Sequence, residues 1–213
     1  MCNLSENQKD SLYFDIGANI GEWSLENIKK CEKIIAVEPS IINYKKLSKA
    51  CEEKNIICLN YAVSNEDKEE VDFYEHGCLS TINKNWLCSK NSRFYGIKYI
   101  QTTCKTISLD KLVEQYGIPD LIKIDVEGAE DLAISSLTKK VKNLCFEWAR
   151  EFHSVTRNSI DHLIKIGFTK FHVQFGDKYI YVPKKEEYTE DLNIIEYKLT
   201  KEKNNDWGMV WVM

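Results

Sequence analysis

Clustered cysteines, a long apolar run and a surplus of positive charge are all missing from this chain of 213 residues. Its eight cysteines (Cys2, Cys31, Cys51, Cys58, Cys78, Cys88, Cys104 and Cys145) are scattered without one CxxC pair. That argues against a zinc site, whose ligands come at short spacing, and against a disulfide framework in a chain this long. Most sit in apolar strand or helix contexts and read as reduced core thiols. No apolar stretch is long enough to span a bilayer, and the N-terminal MCNLSENQKD lacks the apolar core of a signal peptide, so the expected location is cytoplasmic, with no membrane partner. With 29 basic against 33 acidic residues, net charge −4, there is no cationic track for a nucleic acid; the lysines at 139–142 read as a solvated helix end. Prolines number 3, and neither repeats nor low-complexity tracts occur. A hydrophobic content of 43% with 29% charge describes a soluble globular protein, and the length fits one domain over residues 1–213 with a sizeable core.

Among what is present, residues 13–21, YFDIGANIG, say the most. An apolar strand ends at Asp15, Gly17 and Gly21 supply turn freedom and close backbone approach, and residues 22–31 read as a helix whose first backbone N–H groups would face a ligand. A second strand at 34–37 ends at Glu38, about 20 residues on as a dinucleotide fingerprint expects, where a carboxylate can accept both ribose hydroxyls. Two nucleotide cofactors fit this layout. The dinucleotide pattern GxGxxG needs a second glycine so that the backbone can touch a pyrophosphate; here that position is Asn19. Asn19 therefore favours S-adenosylmethionine, which carries no pyrophosphate and whose ammonium group suits Asp15 and nearby carbonyls. A dinucleotide-dependent dehydrogenase, a tight turn that binds nothing and a non-catalytic binding module are the alternatives.

Further along, the spacing predicts a helix at 41–53 and strands at 56–59 and 71–74. A long polar loop at 76–96 has the size of a substrate lid. A strand at 97–107 and a helix from the Ser108 cap through Tyr116, ended by Gly117 and Pro119, come next. LIKID at 121–125 is a buried strand stopping at a second acidic cluster, followed by a helix through Leu137 and a strand at 141–146 ending at Glu147. Residues 159–166 are amphipathic, 168–175 and 179–182 read as strands, 186–205 as surface loop with at most a short helix, and 207–213 as an edge strand able to pair with a second copy. Strand and helix alternation of this kind specifies an α/β fold, a mostly parallel sheet with helices on both faces.

In such a sheet ligands bind beyond the carboxyl ends of the strands. Asp15, Glu38, Asp125 and Glu147 all fall there, and four carboxylates on one rim repel one another unless a sulfonium, an ammonium, Lys123 or a divalent metal intervenes. Lys123 in a buried strand is expected to neutralise a neighbouring carboxylate. Ser80 and Thr81 are candidates to touch the methionine portion of the cofactor. Trp86, Tyr95 and Trp148 are aromatics near the predicted rim, with ordinary packing as the competing role.

Three segments together, FDIGANIG at 14–21, AVEPS at 36–40 and KIDVEGAE at 123–130, resemble the characteristic segments of FkbM-type S-adenosylmethionine-dependent methyltransferases, in that family's order and spacing. The resemblance covers roughly 12–146, and residues 147–213 form the variable, substrate-side part. It implies a seven-stranded Rossmann-like sheet and O-methylation of a hydroxyl, with a sugar or glycan as first choice and a small aromatic or polyketide-like acceptor as second. It also implies that Asp15, Gly17 and Glu38 bind the cofactor, with Asn60 and Ala62 near the adenine, and that the 125–128 turn lines the catalytic pocket. Relatives usually carry a longer lead-in than the 11 residues before Leu12, so the chain is read either as a domain cut from a longer polypeptide or as one completed by a partner.

The implied chemistry is in-line displacement of a methyl group by a hydroxyl, helped by proton removal. Asp125 is the leading base because it ends the central strand. Glu127 and Glu147 are alternatives as base or, with Asp125, as ligands of a metal. His153, just past Glu147, is a further candidate base.

Overall fold

A computed structural model describes residues 11–201 and 206–213; Cys2, nearly all of the lead-in before Leu12 and part of the 186–205 segment lie outside the described residues. The first half alternates as expected: Leu12–Ile16 (β1), Glu22–Asn27 (α1, continued by a single 3-10 turn), Lys33–Val37 (β2), Ile41–Ala50 (α2) and Ile56–Leu59 (β3). Then come Ala62–Val63 (β4), Val71–Glu75 (β5), Lys84–Cys88 (α3), Ile100–Cys104 (β6), Thr106–Ile107 (β7) and Leu109–Tyr116 (α4). The second half is Leu121–Ile124 (β8), Glu130–Ser135 (α5), Leu144–Ala149 (β9), His153–Lys165 (α6), Phe171–Phe175 (β10), Leu192–Thr200 (α7) and Trp207–Val212 (β11).

Seven strands form one sheet in the order β10-β11-β9-β8-β1-β2-β3. Neighbours from β9 to β3 pair in parallel, while β11 runs antiparallel to both β9 and β10. Helices cover both faces, as their buried residues show. Leu109 and Leu112 of α4, Ala133 and Ile134 of α5, and Ile160 and Leu163 of α6 join Phe14, Ile122 and Phe146 in one cluster, whereas Trp23 of α1 and Leu47 of α2 join Ile34, Cys145 and Met209 in another. Ser108 caps α4 by accepting the Lys111 N–H, and Gly117 ends it. Among the described residues no helix is long and apolar enough to cross a membrane.

Four expectations are corrected. Residues 207–212 are an inner strand: WGMVWV is continuously apolar because both of its faces are covered, and its two edges are taken by β9 and β10. Residues 179–182 pair with no strand; Tyr179, Ile180 and Val182 are 42%, 64% and 56% exposed on a strap held to α1 by the Asn27 side chain, which donates to the Tyr179 carbonyl at 2.9 Å. The 76–96 segment is no open loop, since α3 buries Trp86 and Leu87 within it. The strand predicted at 97–107 divides at Lys105 between two partners, β5 and β4, in small sheets outside the main one. The thiols are also less uniform than a core reading implies: Cys51 and Cys145 are buried, but Cys78 is exposed.

Register decides what the sheet presents. Asp15 lies opposite Lys123, Lys123 opposite Cys145, and Glu147 two residues beyond, opposite Met209. With side chains alternating every residue, Asp15, Lys123 and Glu147 share one sheet face, a polar stripe crossing an otherwise apolar surface.

Candidate active site

A cavity of about 650 Å³ opens where β1, β2 and β8 end. Its walls include Gly17, Ala18, Asn19, Glu38 and Ala62 on one side and Asp125, Glu127 and Glu147 on the other. Gly77 to Ile82, which precede α3, form a further wall, and Ser80 and Thr81 lie in it.

The glycine turn spends several of its own amides on internal bonds. The N–H groups of Gly17 and Ala18 both donate to the Val37 carbonyl at 3.0 Å, and that of Gly21 to the Ala18 carbonyl at 2.8 Å. The Asn19 N–H donates to Glu38 Oε2 at 2.9 Å. These four turn amides are consumed inside the protein; the N–H groups of Glu22, Trp23 and Ser24, the first of the helix and the ones expected to face a ligand, are not among them. Gly17, at φ +75°, is required because a Cβ there would sit 1.7 Å from the Asp125 carbonyl oxygen, so the ends of β1 and β8 nearly touch. Gly21 lies off the cavity wall; its Cβ would meet Leu47 Cδ1 at 2.8 Å, and its role is the packing of α1 on α2.

Glu38 is 4% exposed. Its Oε2 is held by Asn19 and its Oε1 by the Ser40 N–H at 2.9 Å, which leaves one lone pair on each oxygen for a ligand. Burial pushes its carboxyl up to about 7, against the pull of the two N–H bonds and Lys123. Asn60 does not line the cavity. Its side-chain amide donates to the Glu38 and Pro39 carbonyls, both at 2.9 Å, and so fixes the turn that presents Glu38.

Asp15 lies beneath the floor, fully buried, and not in the wall. Ser24 donates to its Oδ2 at 2.6 Å, and Lys123 Nζ stands 3.3 Å from Oδ1. Lys123 also donates to the Gly17 carbonyl at 3.1 Å and pairs with Asp125 at 3.5 Å. Burial alone would lower the Lys123 pKa, but Asp125 and Asp15 outweigh it and hold the ammonium charged. The expected pairing of Lys123 with neighbouring carboxylates is therefore visible in two contacts, to Asp15 and Asp125.

On the other wall, Glu130 Oε1 accepts the N–H groups of Val126 at 3.0 Å and Gly128 at 3.2 Å. This clasp holds Glu127 between them at φ +58°, a left-handed conformation that costs a non-glycine residue about 1–3 kcal/mol. One oxygen each of Asp125, Glu127 and Glu147 lies within 4.8 Å of the others. Burial, with repulsion from Asp125 added, raises the carboxyls of Glu127 and Glu147 well above the usual range. Glu147 Oε2 is buried with no hydrogen-bond partner. Glu147 stands inside β9, which runs on to Ala149, and not past its end as expected.

The other expected residues divide between the cavity wall and positions outside it. His153 opens α6 outside the cavity and faces Glu196 Oε1 at 3.2 Å. Ser80 accepts the His76 N–H at 2.9 Å and donates to the Gly77 carbonyl at 2.8 Å, holding the wall's own turn. Trp86 and Trp148 are each 2% exposed, Trp86 packed as part of the cavity wall and Trp148 packed outside it, while Tyr95 is exposed away from the cavity. Sequence reasoning missed Arg93, Asp177, Tyr179 and Trp207, all of which line the cavity. None stands at a strand end or turn of the parallel core, where sequence motifs mark a site.

The chain is 26% identical over 147 residues to the hexuronic acid methyltransferase AglP of Haloferax volcanii, a match covering 67% of this chain and 56% of that protein, so it spans about half the length of this curated relative. Its fold is similar to the precorrin 8W decarboxylase of Methanobacterium thermoautotrophicum, with a TM-score of 0.50 at 8% identity over 96% of this chain and 82% of the other. The Methanococcus jannaschii fibrillarin pre-rRNA processing protein superposes with a TM-score of 0.49 at 14% identity, covering 99% of this chain and 69% of that one. Residues 15–188 match the methyltransferase FkbM domain, from the β1 end through the acidic turn to the strap, and the chain therefore belongs to the FkbM family of S-adenosylmethionine-dependent methyltransferases.

Proposed function

We propose that this chain methylates a hydroxyl oxygen of a sugar or glycan, with Glu147 as the base. The observation that carries the assignment is Glu147 Oε2, buried without a partner against the cavity that Asp125 and Glu127 also line. Asp125 is engaged by Lys123, which makes it the weaker candidate. A carboxylate with raised proton affinity suits a general base near neutral pH. The hexuronic acid named for the Haloferax relative supports a carbohydrate acceptor.

The residues fit S-adenosylmethionine: a carboxylate, Glu38, has one free lone pair on each oxygen for ribose hydroxyls, Ala62 and Val63 offer an apolar wall for the adenine, and Asn19 stands where a dinucleotide pattern has its second glycine. When bound, that cofactor supplies an electrophilic methyl group on a sulfonium. The chain's own work is positioning and proton transfer. Glu147 takes the proton as the acceptor oxygen bonds to carbon and the carbon–sulfur bond breaks. Lys123 keeps Asp15 and Asp125 from adding further negative charge to the rim. Alignment along the attack line supplies much of the acceleration, and base assistance contributes about 10²–10⁴-fold.

The closeness of the Asp125, Glu127 and Glu147 oxygens favours a second arrangement. Three hard oxygen donors suit Mg²⁺ or Mn²⁺, which would supply Lewis acidity toward the acceptor hydroxyl. Both arrangements are tested by incubating the protein with labelled S-adenosylmethionine and hexose, hexuronate and phenol glycosides, before and after chelation. Label in a sugar ether establishes the acceptor class, and label in phenolic products alone overturns it. Loss on chelation with recovery on adding Mg²⁺ or Mn²⁺ establishes the cation.

A further inference from the structure

The aromatic side chains around the cavity differ in exposure, with Tyr61 and Phe94 half-buried between two extremes. Trp23, Phe73 and Trp86 are 6%, 1% and 2% exposed and act as walls, whereas Tyr179 and Trp207 keep 42% and 40% of their surface open. We infer that Trp207 and Tyr179 form the acceptor subsite and receive the C–H face of a hexopyranose ring, an inference that rests on the proposed methyl transfer to a carbohydrate.

Position comes first. Trp207 begins β11 opposite Ala149, so it shares a sheet face with Glu147 two residues back along β9, about 7 Å away along the strand. That separation is one sugar ring, so a hexose packed on the indole reaches the proposed base with a hydroxyl. Tyr179 comes from the strap and faces the cavity from the α1 side, its hydroxyl donating to Glu22 Oε2 at 3.1 Å.

Both platforms are fixed before a ligand arrives. The Trp207 carbonyl accepts the Gly176 N–H at 2.8 Å, and the adjacent Asp206 carbonyl accepts from the Arg150 N–H at 3.0 Å and from Arg93 Nη2 at 3.2 Å. Tyr179 is anchored through its carbonyl by Asn27. Little backbone ordering is then left for the ligand to drive.

Chemistry selects the occupant. Around the open rings stand Glu147, Asp177 and Arg93, all on the cavity wall, so the site alternates apolar faces with hydrogen-bonding groups. A pyranose presents that same alternation: one face of C–H bonds, a rim of hydroxyls. A phenol or polyketide acceptor would bury an apolar body against three charged side chains at a desolvation cost. Arg93 does not offer its full fork to a ligand anion, because Nε and Nη2 already clasp Glu151.

The test is saturation-transfer NMR on the purified chain with methyl β-D-glucopyranoside, methyl β-D-glucuronopyranoside and phenol as probes, with and without S-adenosylhomocysteine. Wild-type protein should transfer saturation to ring C–H protons of a pyranoside. W207A should weaken that binding about tenfold or more, as truncation of an aromatic anchor does, and W207F should stay within about threefold. Y179F should behave as wild type and Y179A as a weakened binder, separating the ring from its hydroxyl. Pyranoside affinity unchanged in the W207A Y179A double variant overturns the subsite, as does binding of phenol with no binding of either pyranoside. S-adenosylhomocysteine affinity, measured alongside by calorimetry, keeps the readings distinct: its absence in wild-type protein counts against methyl transfer, whereas its retention with pyranoside binding indifferent to Trp207 counts against the subsite alone.

Discussion

Cofactor affinity should depend on pH through Glu38, and the size of the effect follows from its surroundings. Each oxygen of this carboxylate already accepts one backbone N–H, from Asn19 and from Ser40, so the two ribose hydroxyls have the remaining lone pairs. Protonation fills one of those positions with a hydrogen and turns an acceptor into a donor facing a donor. The ionised form is then the competent one, and apparent affinity scales with its fraction. With the carboxyl raised to about 7 by burial, about one molecule in eleven is competent at pH 6 and about ten in eleven at pH 8. Calorimetric titration with S-adenosylhomocysteine should therefore give a Kd about tenfold weaker at pH 6 than at pH 8. Stability moves the opposite way. A carboxyl raised from 4.5 holds its proton longer folded than unfolded, so stability declines as pH climbs from 4.5 toward 7, by about 3 kcal/mol in all, and stays lower above that. E38Q should bind weakly at every pH, without the slope, and should lose less stability across that window. Wild-type affinity that is flat from pH 6 to 8, or an E38Q variant that keeps the slope, would refute the reasoning.

Three other outcomes follow. Replacing Lys123 by methionine strands the buried Asp15 without its cation and should cost about 3–5 kcal/mol in urea unfolding, with D15N K123M recovering part of the loss; an undiminished K123M would remove the neutralising role. E147Q should lower kcat about 10²–10⁴-fold while leaving S-adenosylhomocysteine affinity within a factor of about two, whereas H153A should leave kcat at the wild-type level; the reverse pattern in a methyl-transfer assay would move the base to the histidine. Alanine at Gly17 should abolish folding or lower the thermal midpoint sharply, because its Cβ would lie within a bond length or so of backbone that cannot move aside, while alanine at Gly77, with nothing within 4 Å, should cost only its positive φ; equal losses by circular dichroism would contradict this account.

The parallel half of the fold was readable because its signals are local. Each of β1, β2 and β8 is an apolar run that stops at an acid and then at glycine or proline, which sets both the strand end and the carboxylate there. Glu130 shows where such reading stops. On sequence it is one more acidic residue at a helix start, and its grip on the Val126 and Gly128 amides appears only when the turn is folded back over it. Asp15 and Asn60 were recognised as important but in the wrong layer, since both act by holding cavity residues in place. The strap bearing Tyr179 differs for a related reason: alternating aromatic and branched residues suit a strand, yet here the segment is tied to α1 through Asn27 and Glu22, and Tyr179 lines the cavity. Trp207 was hidden in a run whose uniform apolarity is the mark of an inner strand, and the one member of it left open to solvent cannot be picked out without the register.

The placement of β11 also governs the order in which the sheet can be assembled. β10 is synthesised before β11, but its sheet partner is β11, and β11 in turn joins the parallel strands through β9. Until residues 207–212 have emerged from the ribosome, Phe171–Phe175 has no place in the sheet and the β9 edge beside Glu147 stays unsatisfied. The nucleotide-binding half, whose strands all precede β10 in the chain, can therefore form first, and the acceptor side, with Trp207 at its entrance, is completed last.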